Sequence, residues 1–169
     1  MWLCTGCLTR FPFKDKGLAE LCVERHNTET AKSIEKIASV SWTNHFLKMK
    51  LRTGIDLIEI ERIAQSIARS GERFLTRIYT QSELDEVGKN MASLATRFAA
   101  KEAVSKALGC GIGDVSWQEI EILRGAHAEP ILSLHGAAQS IANDLGLKTW
   151  SLTLSHTKGH AVAMVVAMG

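Results

Sequence analysis

RFAAKEAVSKALG, Arg97–Gly109, reads as the C-terminal part of a long helix that begins near Met91, after the loop-like Gly88–Asn90, and stops at Leu108. Glycine is the usual residue just past a helix end, so Gly109 marks the stop. At 100° per residue Ala99, Ala100, Ala103 and Ala107 gather on one side, where a neighbouring backbone can pack closely. The other side mixes Leu94, Phe98 and Leu108 with Arg97, Lys101, Glu102 and Lys106. An ordinary surface helix segregates its apolar stripe from its charges. Charges among core-type residues cost free energy unless paired or given a ligand. This helix is therefore the first place to look for chemistry.

Upstream, Leu51–Ile58 is a short apolar run bounded by charge, which predicts a buried strand. It carries Asp56, in Gly54-Ile-Asp-Leu-Ile-Glu-Ile60, where such a strand would normally hold Val or Ile. Glu59–Arg69 follows as a helix with Ile60, Ile63, Ala64 and Ile67 on one face, leaving Arg62, Gln65 and Arg69 off it. Glu72–Tyr79 suits a short helix. Thr80-Gln-Ser-Glu83 has the capping-box pattern and opens another through Val87.

Downstream the period changes. Trp117–Leu123 alternates, with Glu119 and Glu121 facing away from Ile120 and Ile122, and Pro130–Leu134 reads as a second strand. His135–Leu145 is an Ala-rich helix ending at Gly146. Lys148–Thr157 and His160–Met168, joined by Lys158-Gly159, predict a terminal hairpin. The order predicts an α+β domain with an antiparallel sheet packed with helices. In the last strand His160, Val162, Met164, Val166 and Met168 share one lane and Ala161, Ala163, Val165 and Ala167 the other. Both lanes are largely apolar, so both faces need cover, from the chain's own helices or from a neighbouring subunit.

A chain of 169 residues with 46% hydrophobic and 22% charged residues fits one compact domain with a short appendage. A net charge of +2 is too mild to argue for nucleic acid, and no apolar run approaches the ~20 residues that span a bilayer. The N-terminus lacks the basic start and apolar run of a secretory signal, which predicts a cytoplasmic protein. Residues 1–48 differ in character from residues 49–169. They hold Cys4-x2-Cys7 and Cys22-x3-His26, a spacing open to two readings: a small zinc module, or an extension ahead of a natural start at Met49.

Asp56, Glu102 and His156 are the residues with most to explain. A strand Asp often caps a turn, Glu102 and Lys106 could be an ordinary i, i+4 surface pair, and a histidine ending the lane Trp150, Leu152, Leu154 could be structural. Taken together they suggest more. Two carboxylates without a Cys/His cage suit a hard cation such as Mg²⁺, with phosphate oxygens completing its shell. Lys106, Arg97 and His156 could hold further phosphate charge. The chain has no G-x-x-x-x-G-K-[ST] loop, so it is not a P-loop NTPase.

From Met49 to Gly169 the chain resembles the holo-acyl-carrier-protein synthases, the short group of the 4′-phosphopantetheinyl transferases. The resemblance rests on Gly54-Ile-Asp56-Leu-Ile-Glu-Ile and Arg97-Phe-Ala-Ala-Lys-Glu102-Ala-Val-Ser-Lys106-Ala-Leu-Gly109. It also rests on Trp117…Ile120-Glu-Ile, the Gly125…Pro130 spacer and Ser151-Leu-Thr-Leu-Ser-His156-Thr. It implies transfer of the phosphopantetheine arm of coenzyme A to a serine of apo-acyl carrier protein, in support of fatty acid biosynthesis. It implies Asp56 and Glu102 as ligands of Mg²⁺, with Mn²⁺ suiting the same donors. Lys106 would steady the pyrophosphate, and Arg97 and His156 would help hold coenzyme A phosphates. The proton acceptor for the serine stays open between Glu102 and a metal-bound water. A homotrimer with clefts between subunits is implied, and Arg62 and Arg69 are expected to dock the acidic carrier protein. The one departure in the matched region is His127-Ala-Glu in the Gly125…Pro130 loop, where a shorter turn would serve.

Overall fold

The computed structural model describes Trp2–Leu3, Arg10–Phe11 and residues 49–169. The chain separates into two units, Met1–Met49 and Lys50–Gly169. In the first, strands β1 (Trp2–Leu3) and β2 (Arg10–Phe11) pair antiparallel. Cys4, Cys7, Cys22 and His26 lie outside the described residues.

The second unit begins with strand β3, Leu51–Glu59, which runs directly into helix α1, Ile60–Ser70. Helices α2 (Glu72–Ile78), α3 (Gln81–Val87) and α4 (Met91–Leu108) follow. The capping box forms as predicted. Thr80 Oγ1 accepts from the Glu83 amide and the Glu83 carboxylate accepts from the Thr80 amide, satisfying two otherwise unpaired donors. Asn90 caps α4 through Ser93, and Gly109 ends it in the left-handed region at φ 77°.

Strands β4 (Ile120–Arg124) and β5 (Pro130–Leu134) form an antiparallel hairpin, α5 spans Gly136–Asp144, and β6 (Thr149–His156) and β7 (His160–Met168) close the chain. The main sheet is antiparallel in the order β3-β7-β6, and β4–β5 stands as a separate two-stranded sheet. Two readings of the sequence need correction here. Trp117–Glu119 is a 3-10 turn rather than the start of a strand: the Glu119 amide donates to the Ser116 carbonyl, and the Glu119 carboxylate accepts from the Ser116 amide. His156 does not share the half-buried setting of Trp150, Leu152 and Leu154 but is exposed at the strand end.

The core lies between α4 and the main sheet. Ala99, Ala100, Ala103 and Ala107 are fully buried, as are Ala161, Ala163, Val165 and Ala167 of β7. Small side chains on both elements bring the two backbones close. Gly54 marks the closest approach, since a Cβ there would run into the Ala103 carbonyl oxygen.

Among the described residues nothing covers the other face of the same sheet, so the expected buried strand is buried on one side only. Leu51, Ile55 and Leu57 are about 60% exposed. In the observed register Leu51 faces Met168, Ile55 faces Met164 and Leu57 faces Val162, which makes an apolar band across β3 and β7. The adjoining β6 lane is polar: Ser151 pairs with Val166 and Thr153 with Met164.

Candidate active site

Asp56 points from β3 towards α4, on the side of the strand that also carries Gly54 and Ile58. Because Gly54 lets α4 approach, Asp56 meets the last turns of the helix. Lys106 Nζ donates to Asp56 Oδ1 at 2.8 Å and to the Ile55 carbonyl at 2.9 Å. Lys106 therefore bridges β3 instead of pairing with Glu102, which removes the reading of those two as a surface pair. An ammonium has three hydrogens. Two are used here, and the side chain is half exposed, so the third is available to a ligand.

Glu102 completes the group. Burial raises its pKa, and the negative charge of Asp56 raises it further; Lys106 and Arg62 oppose both. The four side chains thus feel one another across β3, α1 and α4. Among the described residues no cluster of three or more His, Cys, Asp or Glu side chains is placed to hold a metal. Two mutually repelling carboxylates beside a single ammonium still fit a hard divalent cation. Mg²⁺ commonly takes one or two protein carboxylates and fills its shell with water and phosphate.

Arg97 stands elsewhere. The residue is 4% exposed, with Nε donating to the Ile122 carbonyl at 3.0 Å and Nη2 to Glu86. Burial pulls its pKa down, while Glu86 and Glu83 push it back up. Arg97 and His156 line one cavity of about 250 Å³ between α4, the β4–β5 hairpin and β6, with Arg124 and Ser155 also in its walls. Asp56, Glu102 and Lys106 are not in that lining. The structure therefore joins the expected residues into two groups, Asp56 with Glu102 and Lys106, and Arg97 with His156. Arg62 is exposed beside the first group; Arg69, also exposed, lies two turns further along α1.

Sequence reasoning left Lys101 without a role. It is wholly buried and donates to Glu83 at 2.8 Å, to the Trp117 carbonyl at 3.0 Å and to the Ile120 carbonyl. Glu83 in turn accepts from the Ile122 amide. The available signal was Glu83 itself, a carboxylate fixed at the third position of a capping box and facing inward.

Residues 52–165, which span the sheet, the Ala-rich helix α4 and the acidic site, match the 4′-phosphopantetheinyl transferase superfamily. The chain belongs to that superfamily. Within it, the chain falls among the holo-[acyl-carrier-protein] synthases. It is 48% identical to the one from Herpetosiphon aurantiacus over 126 residues, covering 70% of this chain and 99% of that protein. It is 49% identical to one from Dehalococcoides mccartyi, covering 69% and 98%. The crystal structure of the Helicobacter pylori holo-[acyl-carrier-protein] synthase in complex with coenzyme A is 33% identical. It superposes with a TM-score of 0.63, covering 68% of this chain and 98% of that one.

Proposed function

We propose that this chain transfers the 4′-phosphopantetheine arm of coenzyme A to a serine of apo-acyl carrier protein, leaving adenosine 3′,5′-bisphosphate. The observation that carries the reading is the Asp56–Lys106 contact with Glu102 beside it, on a chain nearly half identical to holo-[acyl-carrier-protein] synthases. Fatty acid biosynthesis is the process this serves. Asp56 and Glu102 would hold Mg²⁺, or Mn²⁺ on the same donors. The bound ion supplies charge neutralisation to a pyrophosphate under attack.

The chain's own residues do the rest. Lys106, anchored by Asp56 and the Ile55 carbonyl, directs its remaining hydrogen at a phosphate oxygen and offsets charge on the leaving group. Glu102, beside Asp56 and Lys106, is also a candidate acceptor for the proton of the attacking serine. Arg97 and His156 hold the phosphate charge of coenzyme A that is not at the reacting centre. Arg62 and Arg69 dock the acidic carrier protein.

A homotrimer accounts for the bare sheet face. Leu51, Ile55, Leu57, Met164 and Met168 form a band that a second copy would cover, and clefts between copies would bring the two charged groups to one ligand. Sedimentation should show a trimer, and Leu57→Glu should yield monomers with little transfer activity. A wild-type monomer that is fully active would remove this part of the reading.

The reaction itself is tested by mass spectrometry of apo-acyl carrier protein incubated with this protein, coenzyme A and Mg²⁺. The phosphopantetheine mass gain should appear and should be lost with EDTA or with Asp56→Ala. No gain with several carrier proteins would overturn the assignment. For docking, Arg69→Glu is a cleaner test than Arg62→Glu, because Arg62 also acts on Glu102. Arg69→Glu should raise KM for the carrier protein and leave KM for coenzyme A nearly unchanged.

A further inference from the structure

Arg97 has little freedom. With Nε on the Ile122 carbonyl and Nη2 on Glu86, its plane is fixed. Among the described residues Nη1 has no acceptor, yet it is not sealed in, for the one wholly buried unpartnered side-chain donor there is Arg52 Nε. Since Arg97 lines the 250 Å³ cavity, Nη1 is the part of the guanidinium offered to a ligand.

Glu86 does more than pair with Arg97. Its Oε2 accepts from the Arg124 backbone amide at 2.9 Å, and the Arg124 Nε stands 3.6 Å from its Oε1. One carboxylate on α3 thereby fixes a guanidinium of α4 and the end of β4. Arg124, half exposed, lines the same cavity, and Thr153, Ser155 and His156 form the β6 wall. No carboxylate is among the lining residues. Two guanidiniums, hydroxyls and an imidazole suit a dianionic phosphate monoester, since planar N–H forks match phosphate oxygens.

We propose that Glu86 is a positioning residue which holds Arg97 and Arg124 at the cavity wall, and that Arg124 is a second cation recognising the 3′-phosphomonoester of coenzyme A. The inference rests on the coenzyme A reading above. Glu86 lowers the net positive charge of the cavity, so its removal would tighten phosphate binding if charge alone mattered. Positioning predicts the opposite sign.

The test is calorimetric titration of the full chain, with Mg²⁺, using coenzyme A and 3′-dephospho-coenzyme A as probes. Glu86→Ala and Arg124→Ala should each weaken coenzyme A by about tenfold, the scale of one charge-assisted hydrogen bond. The dephospho probe should weaken by less than about threefold by the same scale. Glu86→Gln, which keeps an acceptor for the Arg124 amide, should recover part of the loss. If Glu86→Ala fails to fold, Glu86→Gln and Arg124→Ala decide. Unchanged or tighter coenzyme A binding in the variants, or equal weakening of both probes, overturns the inference alone. Failure of wild-type protein to bind coenzyme A overturns the reading beneath it as well.

Discussion

Lys101 and Glu102 are neighbours on α4 and have opposite fates. Lys101 enters the core and finds three acceptors, one of them the charged Glu83. Its ammonium has no hydrogen left to offer, and the pair locks α4 to α3 and the start of β4. Glu102, one residue on, faces Asp56 across a half-buried surface where a second negative charge is unwelcome. Unlike Lys101, it has no cation of its own, because Lys106 is turned to Asp56. A helix can carry both kinds of charge when one is satisfied by the fold and the other is left for a ligand. The first kind costs little once made and a great deal when broken. The second is a standing cost that only binding relieves.

The comparison breaks most sharply at Lys101. Lys101→Met leaves Glu83 buried without its counter-charge, and should destabilise the domain by about 3–5 kcal/mol in urea unfolding. A loss under 1 kcal/mol would show that the buried pair does not hold the fold together. Glu102→Gln should instead lower transfer activity by about a hundredfold or more, the scale of removing one preorganised charge-stabilising group, while the protein stays folded. It should also raise the Tm of metal-free protein at neutral pH. The folded-state pKa of Glu102 lies above its unfolded value, so its ionised form costs stability as pH rises through and beyond that range. Below the range, where the carboxyl is protonated in both states, the gain should vanish. A Tm gain that persists in acid would point to packing rather than charge.

Gly54→Ala tests the approach that gives both residues their setting. Its methyl would meet the Ala103 carbonyl, costing about 1–3 kcal/mol by overpacking. It should also reduce activity by moving Asp56 from α4. Full activity in a folded Gly54→Ala protein would show that β3 can shift without loss of the site. The smallest effect is expected at Ala128, in the loop where His127-Ala-Glu departs from a tight turn. Ala128 holds φ at 66°, a left-handed conformation that glycine adopts without strain. Ala128→Gly should stabilise the domain by about 1 kcal/mol or less, the relieved strain being partly offset by unfolded-state entropy. Thermal unfolding would show the sign.

Much of this was legible in the chain. The Thr80–Glu83 capping box, the Met91–Leu108 helix with Gly109 beyond it, and the alternating lanes of β7 follow from local rules of period and end-capping. Asp56 and Glu102 stood out because a carboxylate in an apolar pattern needs a reason. The sequence also pointed to both faces of the last strand as apolar, and one of them has no cover among the described residues. Other features were out of reach. The Lys106–Asp56 contact joins residues 50 apart in sequence, Lys101–Glu83 joins residues 18 apart, and Arg97–Glu86 residues 11 apart. Helical spacing tells which residues share a face of α4. It does not tell what α3, β3 or β4 will bring against that face.

The sequence by itself therefore determined the order and approximate extent of the helices and strands, the 3-10 turn at Trp117–Glu119 excepted, and which charges sit where a core residue would be expected. Those are consequences of backbone geometry within a few residues. Only the tertiary structure decided which of those charges are neutralised and which remain open. That decision depends on packed neighbours and on desolvation: Gly54 admits α4 to within reach of Asp56, and burial makes Lys101 take Glu83 while leaving Glu102 without a cation of its own.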